Sequence, residues 1–93
     1  MQTPKDYMEL KDSLKGLSTD KAIEILDKYI AEHPDDDEAL TLRGMRHWGA
    51  GHRSQAMTDY LSALRINPSS RAAMALKAAQ EILDYRNKDL YNP

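Results

Sequence analysis

Three kinds of residue in this chain could carry chemistry: histidines, a run of carboxylates and scattered arginines. The histidines are His33, His47 and His52. Zinc-binding helices place two histidines four residues apart, on one face. His47 and His52 are five apart across a predicted helix end, which gives no shared ligand face. The carboxylates run Asp35-Asp36-Asp37-Glu38. A calcium loop needs alternating ligands, a turn glycine and a distal glutamate, and none of that pattern surrounds them. Acidic side chains suit a helix start, where free amides and the helix dipole favour negative charge. No glycine-rich phosphate loop is present, and no serine is paired with a histidine by any recognisable pattern. The expectation is a non-catalytic protein without cofactor or metal.

Arg43, Arg46, Arg53, Arg65 and Arg71 are the candidates for contact with RNA. The net charge of −2 disfavours general nucleic-acid binding. The charge is also unevenly spread. Residues 1–38 hold five lysines against eleven Asp and Glu, a balance of −6. Residues 39–93 hold eight Lys and Arg against four Asp and Glu, a balance of +4. Such asymmetry suits head-to-tail contact, an acidic partner at the C-terminal end, or an ordinary solvated surface.

At 93 residues the chain is expected to form one domain. It has no cysteine, so neither disulfides nor thiolate metal sites arise. No secretory signal is visible, and no stretch approaches the roughly 20 apolar residues of a membrane span. A cytoplasmic protein is expected, and Met1 suggests a complete small chain.

Helical signals run throughout, and no strand pattern appears. Thr3-Pro4 is a helix opening, with the helix running to about Lys15 and stopping at Gly16. Ser18 or Thr19 starts a second helix that carries Ala22, Ile23, Leu26, Tyr29 and Ile30 at three- and four-residue steps. His33-Pro34 ends it. A third helix spans about Asp37 to Gly49, before the turn Gly49-Ala50-Gly51. A fourth runs from Arg53 or Ser54 to Ile66 and ends at Asn67-Pro68. Ser69 or Ser70 caps a fifth, expected to end near Tyr85 or Arg86 and to leave a polar tail.

Pro34 and Pro68 lie 34 residues apart, the length of a helix–turn–helix repeat unit. The same offset pairs Ala22 with Ala56, Ile23 with Met57, Leu26 with Tyr60 and Ile30 with Leu64. It also pairs Leu40 with Met74, Leu42 with Leu76, Gly44 with Ala78 and Trp48 with Ile82. Residues 37–70 supply Leu40, Gly44, His47, Ala56, Tyr60, Ala63 and Pro68 at the characteristic positions. On these residues the chain resembles the tetratricopeptide repeat family. Arg43 departs from the family pattern, which has leucine there, and Leu42 is expected to take its apolar role. Residues 3–36 resemble a degenerate first repeat, with Leu10 where glycine belongs and Tyr29 where a small residue belongs. Residues 71–86 resemble a capping helix, followed by the tail 87–93.

The resemblance implies an all-α fold of about five helices. These would form an α-solenoid of antiparallel helix pairs in a right-handed superhelix. It implies a concave groove lined by the first helix of each repeat. Carried onto this chain, the groove positions are Tyr7, Lys11, Leu14, Thr41, Met45, Trp48, Ala75, Ala79, Ile82 and Leu83, with Pro4, Lys15, Glu38, Gly49 and Ala72 alongside. Chaperone-docking members grip a C-terminal carboxylate with lysine and asparagine. Thr41, Met45, Ala75 and Ala79 argue against that subclass. The implied function is an adaptor that binds an apolar peptide or helix of a protein partner, with no role for nucleic acid or membrane. Two alternatives stay open: a homodimer formed through the same groove, and a tail folded across it. Trp48 is either an anchor in the groove or a filler between repeats.

Overall fold

The computed structural model describes the backbone of residues 6–91 and the side chains of residues 6–84. Among these residues there are five helices and no strand: α1 (Tyr7–Ser13), α2 (Thr19–Glu32), α3 (Asp37–Gly49), α4 (Arg53–Ile66) and α5 (Ala72–Tyr91). No helix is long and apolar enough to cross a membrane.

Side chains that compete for backbone amides set the helix starts. Asp6 caps α1, accepting from the Glu9 amide at 2.9 Å. The Thr3-Pro4 opening lies outside the described residues. Ser18 caps α2 through the Lys21 amide, and Asp36 caps α3 through the Ala39 amide at 3.1 Å. Ser70 accepts from the Ala72 amide at 3.1 Å, where α5 begins. Each such cap contributes about 1 kcal/mol. Gly16 (φ 73°) and Gly51 (φ 85°) turn the chain after α1 and α3 in the left-handed conformation that glycine adopts without strain.

The fifth helix is longer than its sequence suggests. It continues through Tyr91, so residues 87–91 extend α5 and do not turn back across the protein.

Helices pack mostly on their sequence neighbours. The closest apposition is α3 against α4, followed by α2 against α3 and α4 against α5. Smaller contacts join α3 to α5 and α1 to α3, and the α1–α2 pair is the loosest in sequence. Between α3 and α4, Gly44 lies close to Tyr60 and the Ala56 carbonyl, and Gly44, Ala56 and Ala63 are all buried. Leu10 of α1 and Tyr29 of α2, at 0 % and 2 % exposure, share one buried cluster, and α1 is only seven residues long. The principal extents are 54 × 28 × 17 Å.

Two apolar clusters form the core. Leu10, Leu14, Ala22, Leu26, Tyr29 and Ala39 make the first. Leu40, Ala56, Tyr60, Ala63 and Ala72 make the second, and Ile30 packs against both. A polar brace ties three helices together. Arg43 donates from Nε and Nη2 to the two oxygens of Asp59, at 2.9 and 2.8 Å, and from Nη1 to Asp27 at 3.0 Å. Asp59 is buried, and its hydrogen bonds push the Arg43 pKa up. Leu42 packs against the first cluster, and the neighbouring Arg43 charge is paired with Asp59 and Asp27.

Candidate peptide groove

A groove of about 350 Å³ opens between the starts of α1 and α5 and one face of α3. Glu38, Thr41, Leu42 and Met45 line it from α3. Their spacing of three, one and three residues is a single helical stripe. Arg71, Met74 and Ala75 line it from the start of α5, on the same kind of stripe, and Tyr7 closes it from α1. Met45 and Met74 are 55 % and 79 % exposed, so the floor is apolar and open to solvent.

Polar groups border this surface. An Arg71 Nη lies 3.7 Å from a Glu38 carboxylate oxygen, and both side chains are well solvated, so the pair contributes little to stability. The Thr41 hydroxyl donates to the Asp37 carbonyl at 2.8 Å and lies 3.4 Å from the Ser70 hydroxyl. The Tyr7 phenol is pushed up in pKa by burial and then by the Glu38 charge, while Arg71 opposes the shift. At neutral pH it is an uncharged phenol at the mouth of an apolar groove.

Of the ten residues expected on the groove, Tyr7, Thr41, Met45 and Ala75 line it. The others stand elsewhere. Leu14 is 4 % exposed and belongs to the first core cluster. Trp48 is half-buried against the second cluster, with the Arg53 guanidinium 5.2 Å from its ring centre. The cation above the ring adds to this packing. Ala79 is buried, Ile82 is exposed farther along α5, Leu83 is half-buried and Lys11 is solvated on α1. The residues not anticipated are Leu42, Arg71 and Met74. Leu42 lies between Thr41 and Met45 on the α3 stripe, and that spacing was available in the sequence.

The α5 residues explain most of the mismatch. Ala72 and Ala79 are buried, and Ala72 is part of the second cluster, where small side chains allow α5 close to its neighbours. With Ala72 and Ala79 turned to the core, Arg71, Met74 and Ala75 are the residues at the start of α5 that line the groove.

The acidic run acts as a helix start. Asp36 caps α3 and also accepts from the Tyr29 hydroxyl at 2.9 Å, and Asp37 accepts from Asn67 at 3.4 Å. The turn after α3 brings His47 and His52 together, with their Nδ1 atoms 3.2 Å apart. His33 instead stacks on Tyr29, with ring centres 4.1 Å apart. Among the described residues no group of three or more metal-ligating side chains forms.

The chain was compared with models of protein families, with curated proteins and with solved structures, and it matches none of them.

Proposed function

We propose that this five-helix protein is a protein–protein interaction module. In this reading the groove between α1, α3 and α5 holds an apolar peptide or helix of a partner protein, and the chain performs no catalysis. The observation that carries it is the pair of exposed methionines, Met45 and Met74, facing a common groove beside Tyr7, Leu42 and Ala75. Methionine is flexible and polarizable, and it adapts to varied apolar side chains. Tyr7 supplies a ring with a polar tip, which suits the edge of a recognition site.

The reading includes a tetratricopeptide-like architecture. Its support is the 34-residue proline spacing, the close crossing at Gly44 and Ala56, and helix–helix packing that runs mostly along the sequence. It also carries the expectation of a cytoplasmic adaptor. Self-association through the same surface is the second reading, favoured by the exposure of Met45, Met74 and Ile82 on so small a protein.

Sedimentation at micromolar concentration separates the two. A monomer whose Met45→Glu variant sediments identically supports a groove reserved for another protein. A wild-type dimer that Met45→Glu dissociates supports self-association.

A further inference from the structure

The groove has a polar end as well as an apolar floor. Tyr7, Glu38 and Arg71 line that end, at the starts of α1, α3 and α5, while Met45 and Met74 lie farther along their helices. Glu38 and Arg71 stand on different helices, 3.7 Å apart, with 45 % and 72 % of their side chains exposed. So open a contact holds neither group firmly, and either can exchange its partner for a charge on a ligand. The two signs are not balanced here. Asp36 is close enough to act on the Tyr7 phenol, and its carboxylate accepts from two neutral donors, the Ala39 amide at 3.1 Å and the Tyr29 hydroxyl at 2.9 Å. Asp6, just before α1, accepts from the neutral Glu9 amide. Arg71 therefore faces more carboxylate than it neutralises. Burial is the first cause of the raised Tyr7 pKa, Glu38 is the second, and Asp36 adds to them against the opposing Arg71.

We propose, on the footing that the groove is a peptide site, that its occupant is an apolar peptide segment of a partner protein with a lysine or arginine at the end that meets Tyr7 and Glu38. The apolar side chains lie on Met45, Met74 and Ala75, and the ligand's cation takes Glu38 from Arg71, whose exposed side chain turns to solvent. An aromatic ring beside carboxylates adds to the attraction for a cation. An acidic segment would meet Glu38 and Asp36 against a single guanidinium, and like-charge contact of that kind selects against a partner. Residues 1–38, which hold α1, α2 and the start of α3, balance at −6, and that field steers a basic segment to this side of the protein.

The test selects peptides from a random library on the whole chain and keeps those that lose binding to Met45→Ser/Met74→Ser, a change that leaves the charge alone. The kept peptides are enriched in Lys and Arg over Asp and Glu relative to the library. Glu38→Gln weakens them about two- to fivefold, the size of an exposed ion pair, and Arg71→Gln strengthens them by a similar factor. Glu24→Gln, on the exposed face of α2, changes nothing. All of these side chains are solvated, so the fold is kept. Kept peptides that are acidic or unchanged in charge, or that weaken with Arg71→Gln and not with Glu38→Gln, overturn the proposal and leave the peptide groove standing. Selected peptides that all ignore the serine substitutions refute the groove itself, and the proposal with it. A wild-type dimer that those substitutions dissociate gives the groove to a second copy and likewise overturns it.

Discussion

Replacing Gly44 by alanine tests how closely α3 and α4 cross. A Cβ on Gly44 would lie 2.6 Å from Cε1 and 2.8 Å from Cδ1 of Tyr60, and 3.2 Å from the Ala56 carbonyl oxygen. Carbon atoms pack best at about 3.5–4.0 Å, so the overlap is about 1 Å. Tyr60 is 3 % exposed and cannot swing into solvent, and the carbonyl belongs to the α4 backbone. Overpacking of this kind costs about 1–3 kcal/mol, and a close approach to a fixed ring belongs at the top of that range. Alanine returns about 1 kcal/mol of helix propensity, leaving a net loss of about 2 kcal/mol. For a domain of this size that lowers Tm by about 8–16 °C. Gly49, at the end of the same helix, is the control, because nothing lies within 4 Å of its Cβ position. Gly49→Ala raises stability by about 0.5–1 kcal/mol. Thermal and urea unfolding, followed by circular dichroism, read both variants. Tyr60→Leu in the Gly44→Ala background recovers part of the loss, since it removes the ring that the new methyl meets. A Gly44→Ala protein as stable as Gly49→Ala would refute the close crossing.

Three further outcomes follow from the brace, the core tyrosine and the tryptophan. Asp59→Ala costs about 2 kcal/mol in urea unfolding because it leaves Arg43 with only the half-exposed Asp27, whereas the Arg43→Leu/Asp59→Leu double variant regains most of that loss; equal losses in both would remove the brace. Burial and the hydrogen bond to Asp36 push the Tyr29 pKa up to about 12. The unfolded chain ionises Tyr29 near pH 10, so its contribution to stability is full below about pH 10 and is lost as pH rises towards about 12. Absorbance at the tyrosinate band should show a late-titrating tyrosine that Tyr29→Phe removes, and its absence would contradict the buried phenol. Trp48 lies outside the groove, so a peptide bound beside Met45 and Met74 leaves its emission wavelength unchanged; a large shift would put the binding surface elsewhere.

Much of the framework was readable because local chemistry decides it. The bounds of α3 follow from the carboxylates before it and the glycines after it, and the ends of α2 and α4 follow from Pro34 and Pro68. The start of α1 was not legible: Asp6, which caps it, stands three residues after Thr3-Pro4, the opening that the sequence suggests. The polarity of residues 86–91 suggests a tail, yet the segment contains neither proline nor glycine to stop a helix, and α5 continues through it.

The site was harder to read. Alanines at 72, 73, 75, 78 and 79 present small side chains around most of α5, so no stripe announces which side packs and which side faces the groove. Only the contacts of Ala72 and Ala79 settle the rotation. The brace was illegible for a related reason: Arg43 is 16 residues from each of Asp27 and Asp59, and charges so far apart in sequence look like solvated surface. The His47–His52 contact depends on the path of one turn, which residue spacing on a straight helix cannot express.

The central claim is that the surface made by Tyr7, Leu42, Met45, Met74 and Ala75 recognises an apolar peptide. The most direct test selects binders from a random peptide library and maps each by NMR shift perturbation on the whole chain. The prediction is that selected peptides share an apolar core, perturb those residues, and lose binding to Met45→Glu and Met74→Glu. Both side chains are exposed, so neither change threatens the fold. Peptides that bind both variants as tightly as the wild type, or that perturb a different face, would contradict the claim.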